Sequence, residues 1–280
     1  MRIITDIHYV IQACGEEAAL RMAKEAGFDG VDYPLHNQDP ETMVLDENYR
    51  ERAGRTKELL EKYGLICNQA HAPFGKSVYG DPMDPTCVEY GLIVRAMEYA
   101  AIIGAKHIVI HGIKPPARVD VTAYNVEYYK SLQPYAEKFG IQIAVENLMT
   151  ILCNPITHRA VLDQLDPKWF VALLDVGHSN YAKVEPERFI YGMDPSRLQG
   201  LHIHDNDSSW DDHLLPFLGK IGWDSVMEAL AEVGYSGDLT LETGGGFLKQ
   251  FPVELYPAAM AFSAQVCRHL AAKMESFKTV

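Results

Sequence analysis

Five segments of the chain repeat one scheme: AGFDGVDY (26–33), YGLICNQ (63–69), IGAKHIVI (103–110), FGIQIAV (139–145) and VGYSGDLTL (233–241). Each passes from a helical stretch through a glycine and a short turn into a run rich in Val, Ile and Leu. Gly27, Gly64, Gly104, Gly140 and Gly234 stand where a left-handed cap residue is wanted. The runs that follow are too continuously apolar for a strand with one wet face. Strands buried on both faces, joined by helical crossovers, belong to parallel sheets.

The same pattern extends along the whole chain. Strands are predicted at 2–7, 30–34, 65–72, 107–112, 141–147, 169–176, 198–205 and 238–243. Helices are predicted at 15–26, 47–63, 85–103, 121–139, 157–165, 186–192, 223–234 and 254–275. Eight such units in 280 residues fit a closed α/β barrel, the (β/α)8 or TIM architecture. An open doubly wound sheet is the alternative, but no glycine-rich phosphate fingerprint follows the first strand. No linker or low-complexity segment divides the chain, so residues 1–280 read as a single domain.

The formal net charge is -13, and no run of Lys and Arg offsets it locally. Such a surface repels a phosphate backbone, which favours a small-molecule partner over nucleic acid. The opening MRIITD lacks the pattern of a signal peptide, and no segment has the length of a membrane span. Five scattered cysteines without a CxxC pair read as free thiols in a reducing cytoplasm.

Several predicted strands end in ionisable residues: AHAPFG (70–75), IVIHG (108–112), IAVENL (143–148), LLDVGHSN (173–180), GLHIHDND (200–207) and LTLETGGG (239–246). These endings contribute His71, His111, Glu146, Asp175, His178, His204 and Glu242. Asp211 and His213 follow on the loop after the seventh strand. In a (β/α)8 barrel the C-terminal strand ends form the mouth where chemistry gathers. Carboxylates crowded there force some of their number to stay protonated unless a cation intervenes. Carboxylate oxygens and imidazole nitrogens suit Mn²⁺, Zn²⁺, Mg²⁺ or Co²⁺. His202 lies two residues before His204 and faces the same way, one layer deeper. It is given no ligand role, only a supporting one. Phe74, Trp210 and Phe247 are candidates to shape a pocket. Lys114, Arg118 and the glycines at 244–246 are candidates for holding an anion.

The set IAVENL, LLDVGHSN, GLHIHDND with DDHLLPFLGKIGW, and LTLET resembles the sugar phosphate isomerase/epimerase superfamily, the xylose-isomerase-like barrels that also include endonuclease IV. The resemblance implies one divalent cation, Mn²⁺ in preference to Zn²⁺, Co²⁺ or Mg²⁺, held by Glu146, Asp175, His204 and Glu242. It implies that Glu146 and Glu242 also act as catalytic acid and base on a carbohydrate, through a metal-stabilised enediolate. His178, His71, His111, Asp211 and His213 are then expected to bind substrate. Dimers or tetramers are a further implication.

Two alternatives follow from the same resemblance. A related sugar or inosose dehydratase would share the deprotonation and then expel a hydroxyl. A multi-zinc phosphodiesterase like endonuclease IV would use His71, His111, His178, Asp211 and His213 as further ligands, against the handicap of the acidic surface. A sugar-binding protein without turnover is a third reading, which the acid-base pair Glu146 and Glu242 disfavours. Leu152 and Trp210 stand where the ketohexose 3-epimerase branch carries Glu and Arg, which argues against a free ketohexose.

Overall fold

A computed structural model of the chain describes residues 1–36, 45–74, 83–84 and 86–278. Eight parallel strands form the centre: β1 (Ile3–Asp6), β2 (Gly30–Pro34), β3 (Ile66–His71), β4 (His107–Ile110), β5 (Gln142–Glu146), β6 (Phe170–Asp175), β7 (Leu198–His202) and β8 (Leu239–Leu241). The hydrogen-bonded order is β7-β6-β5-β4-β3-β2-β1-β8. Only a single parallel bridge, Ile203 to Leu241, joins β7 to β8. The sheet is therefore a nearly closed barrel, as the alternating pattern predicts.

The helices are α1 (His8–Cys14), α2 (Glu16–Ala26), α3 (Tyr49–Tyr63), α4 (Val88–Ile102), α5 (Val121–Phe139), α6 (Pro155–Leu162), α7 (Val176–Tyr181), α8 (Pro186–Gly192), α9 (Trp223–Glu232) and α10 (Tyr256–Phe277). All five glycines read as helix stops adopt positive φ. α5 shows how local sequence sets both ends. Asp120 accepts a hydrogen bond from Ala123 N at its start, and Gly140 closes it in the left-handed region.

Two short helices differ from expectation. α1 follows β1 directly and breaks from α2 at Gly15, with no side-chain cap to mark its start. α7 begins where the sixth strand was extended to Val176, because Asp175 turns its carboxylate onto His178 N at 2.6 Å and caps a helix instead. Position 85, the expected start of the third predicted helix, and Gly75 of AHAPFG lie outside the described residues.

Strand parity sorts the side chains. Val109, Ala144, Val171 and Leu173 form a small separate apolar cluster. They share parity with His111, Glu146 and Asp175, so the same strand faces that fill the barrel below carry the polar groups above. The opposite faces pack on the helices in the main core. At the other end of the barrel, Arg2 pairs with Asp238 at 2.7 Å, and Asn68 donates to the same carboxylate at 2.8 Å. Among the described residues, no helix is long and apolar enough to cross a membrane.

Candidate active site

Three groups of donor atoms meet at the C-terminal mouth, each with its atoms within 4.8 Å of one another. The first comprises Glu146, Asp175, His202 and Glu242. His202 is the last residue of β7 and pairs in register with Asp175 of β6, so the two stand at one level of the barrel. Its Nδ1 lies 2.9 Å from Glu146 Oε1, 3.3 Å from Glu242 Oε2 and 3.8 Å from Asp175 Oδ2. Its Nε2 lies 3.0 Å from Asp32 Oδ2. Asp32 is fixed in turn by Gln69 Nε2 at 2.7 Å, and Gln69 Oε1 accepts from His107 Nε2 at 3.0 Å.

The sequence reading put His204 in this group and gave His202 no ligand role. The structure brings His202 there instead. Both residues face the barrel interior, so parity cannot separate them, and the β6–β7 register decides. His204 joins the second group, with His178, Asp211 and His213. Its ring stacks on His213 with centroids 4.1 Å apart, and its Nε2 lies 3.1 Å from Asp175 Oδ1. Gly177 of the DVGH motif makes room for that ring: a Cβ there would stand 1.9 Å from His204 Cε1.

In the second group Asp211 Oδ2 lies 3.1 Å from His213 Nε2 and 3.4 Å from His178 Nε2. His178 Nδ1 is engaged by the Asn147 carbonyl at 2.9 Å, which turns Nε2 toward Asp211. Burial works against charge on Asp211, but His178 and His213 beside it hold its pKa far below the usual carboxylate range. Burial also opposes charge on His213, yet Asp211 and Glu242 raise it to about 10. The third group is His71, His111 and Glu146. His111 Nε2 lies 2.8 Å and His71 Nε2 3.6 Å from Glu146 Oε2.

The electrostatics of the first group fit a cation. A neutral His202 protonated on Nε2, the nitrogen that faces Asp32 Oδ2 at 3.0 Å and Gln69 Nε2 at 2.7 Å, would point the lone pair of Nδ1 at three carboxylates, an arrangement that repels. Burial would lower the His202 pKa, but Glu242, Glu146 and Asp32 hold it well above the usual histidine range, so the imidazolium itself supplies positive charge. Burial would raise the Glu146 pKa, and His202 and His111 hold it well below the usual range. Glu146 Oε2 is buried without an aligned hydrogen bond. Three carboxylates and one oriented imidazole could hold a divalent ion.

A cavity of about 570 Å³ opens onto these groups, lined by His71, His111, Glu146, His178, Asp211, His213 and Glu242 among others. Phe74 and Lys114 line it as well. Trp210 is 68% exposed and Phe247 packs on Phe251, and neither is in the wall. Arg118 is exposed and also stands apart from the wall. The glycines at 244–246 answer to close packing: a Cβ on Gly246 would meet Asp212 O at 1.7 Å, and one on Gly244 would meet Tyr9 Cδ2 at 2.5 Å.

Two supporting residues escaped the sequence reading. Asp32 sits inside GVDYP, where nothing local distinguishes it from a strand residue. Asp205 is fully buried and accepts from Asn206 N, Phe217 N, Ile221 N and Trp223 Nε1 at 2.8–3.1 Å. It thereby anchors the loop that carries Asp211 and His213.

The family described as xylose isomerase-like TIM barrel matches residues 20–265. Fructoselysine 3-epimerase of Shigella flexneri is 29% identical over 244 residues, covering 81% of this chain and 84% of that protein. Matches to three uncharacterised proteins of Sinorhizobium fredii and Methanocaldococcus jannaschii span only 38% to 58% of those proteins. Among solved structures, a D-tagatose 3-epimerase-like protein superposes with a TM-score of 0.79 at 20% identity, covering 99% of both chains. The IOLI protein with a bound zinc atom gives 0.75 at 13% identity, covering 96% of this chain and 99% of that one. At these identities the two structures establish the fold.

Proposed function

Because the chain belongs to the xylose isomerase-like TIM-barrel family, we propose that it is a divalent-metal-dependent isomerase or epimerase of a small sugar or keto-polyol. The observation that carries this reading is the placement of Glu146 and Glu242 beside one nitrogen of His202, at 2.9 and 3.3 Å, on strands from different parts of the barrel. Binding alone has no need of two such carboxylates. The 3-epimerase named among the relatives supports the same class of chemistry.

Glu146, Asp175, His202 and Glu242 would hold the cation, with Mn²⁺ first for a carboxylate-rich set and Zn²⁺, Co²⁺ or Mg²⁺ as alternatives. When bound, it supplies Lewis-acid polarisation of the substrate carbonyl and offsets the charge of the enediolate. One glutamate takes the proton from the carbon beside the carbonyl. The other returns it, to the opposite face in epimerisation or to the neighbouring atom in isomerisation. His178, Asp211, His213, His71 and His111 would bind substrate oxygens. A dehydratase would use the same first step.

A second reading is favoured by one specific observation: the donors form three groups, with Glu146 shared between two of them. That arrangement suits a multi-zinc phosphodiesterase. The net charge of -13 disfavours nucleic acid as its substrate.

The deciding experiment measures metal content and solvent exchange together. About one equivalent of metal, with deuterium entering ketoses or keto-polyols beside the carbonyl in D₂O, supports the isomerase reading. Two to three equivalents of zinc, no exchange and salt-sensitive cleavage at abasic sites would put the phosphodiesterase first.

A further inference from the structure

The chemistry above occupies one end of the cavity. The other end is walled by Tyr90 and Ile93 of α4, Tyr128 of α5, Ile110 at the end of β4, and Leu148 and Ile151 in the loop after β5. Tyr90, Ile93, Ile110 and Tyr128 are each at most 4% exposed, so they belong to fixed packing. Tyr90 Oη donates to Ser131 O at 2.7 Å and ties α4 to α5. Leu148 N donates to Ile151 O at 2.9 Å and closes the loop that presents both side chains. Gly112 lets that loop approach β4: a Cβ there would meet Asn125 Oδ1 at 2.9 Å and Ile151 Cγ2 at 3.2 Å.

A bare sugar does not satisfy this wall. A hydroxyl turned toward Leu148 or Ile151 leaves water and finds no donor or acceptor on those side chains, a loss of about tenfold in affinity for each such group. The cavity, at about 570 Å³, falls in the range of small-molecule sites and has room beyond the donor groups. The titratable groups of the three donor sets gather on one side of the cavity, and the remaining lining is mainly apolar, with Lys114, Tyr128 and Thr150 among its polar members, so the complementary ligand is itself two-ended.

We propose that the substrate is a sugar derivative bearing an apolar, ring-sized substituent, which lies against Leu148 and Ile151 at the α4 side of the cavity while the sugar part lies over Glu146 and Glu242. This deepens the isomerase/epimerase reading and rests on it. The substituent supplies binding energy remote from the reacting carbon, and that energy positions the carbon between the two glutamates.

The test is calorimetric titration of the manganese-loaded protein with matched methyl and phenyl glycosides of glucose, galactose and mannose. The phenyl member of at least one pair binds tenfold or more tightly than its methyl partner, with a more negative heat-capacity change. In Ile151→Trp, which fills the apolar end from a partly buried loop, that advantage falls below about threefold while methyl-glycoside affinity is kept. Leu148→Asn tests the same wall without added bulk. Equal affinities within every pair, or no binding by any phenyl glycoside, overturns the proposal. An advantage that survives both substitutions overturns its placement. Deuterium exchange on free ketoses without a phenyl preference removes this inference and leaves the proposed reaction. A phenyl preference without exchange on any sugar removes the reaction and leaves the binding site.

Discussion

Asp32 Oδ2 lies 3.0 Å from His202 Nε2, across the ring from Glu146 and Glu242. The aspartate holds the ring by Nε2, with Gln69 Nε2 2.7 Å from the same nitrogen, and so turns Nδ1 toward the mouth. Asp32→Asn keeps the size of the side chain and removes its charge. We expect manganese affinity to fall about 10–100-fold, with the circular dichroism spectrum unchanged. Competition against a calibrated chelator measures this, and an unaltered affinity would take Asp32 out of the site.

Glu146→Gln and Glu242→Gln remove the two candidate proton carriers one at a time. Each is expected to lower the rate of solvent deuterium entry by about 10²–10⁴-fold. A metal-content assay on each variant separates loss of the acid-base group from loss of the ion. Exchange at the unmodified rate in both variants defeats the mechanism.

His158, on α6, is buried with its Nε2 2.9 Å from Val145 O. Burial lowers its pKa to about 4 from the ordinary 6.5. Between those values the unfolded chain binds the extra proton, so the folded chain loses stability as pH falls from 6.5 toward 4. The loss from this one group is about 3 kcal/mol. Urea unfolding at pH 7 and pH 4.5 is expected to show a smaller pH difference for His158→Gln, whose amide can still donate to the carbonyl. Equal pH dependence in the two proteins contradicts this assignment.

Asp205→Ala leaves three backbone N–H groups and one indole N–H without their carboxylate acceptor. Stability is expected to drop by about 3 kcal/mol or more, since each orphaned buried donor carries its own desolvation cost. Substrate affinity falls with it, because the loop bearing Asp211 and His213 loses its anchor. Thermal unfolding and ligand titration report the two effects separately.

The eight strands were legible because runs such as FVALLD are buried on both faces and carry no competing helical period. Glu146, Asp175 and Glu242 were legible for the same reason: a carboxylate ending such a run has few places to go. His202 was misjudged because residues 202 and 204 share one face, and only the pairing of β7 against β6 sets their depth. Asp32 and Asp205 act through contacts across 170 and 18 residues of sequence, distances that local pattern does not encode. α1 and α7 are short, and their sequences lack the long apolar period that announces a helix. The role of Gly246 depends on Asp212 O arriving from another loop, which sequence spacing does not reveal.

The single bridge between β7 and β8 has a mechanical consequence. His202 ends one of these strands and Glu242 follows the other, so the proton chemistry straddles the thinnest join in the barrel wall. Parting that join would separate the two residues. An ion shared by them acts as a rivet, closing a loop of about 40 residues and restraining it much as a covalent cross-link would. Occupancy of the mouth and closure of the wall would then be one event, and amide exchange at Ile203 and Glu242 would be faster in metal-free protein than in metal-loaded protein.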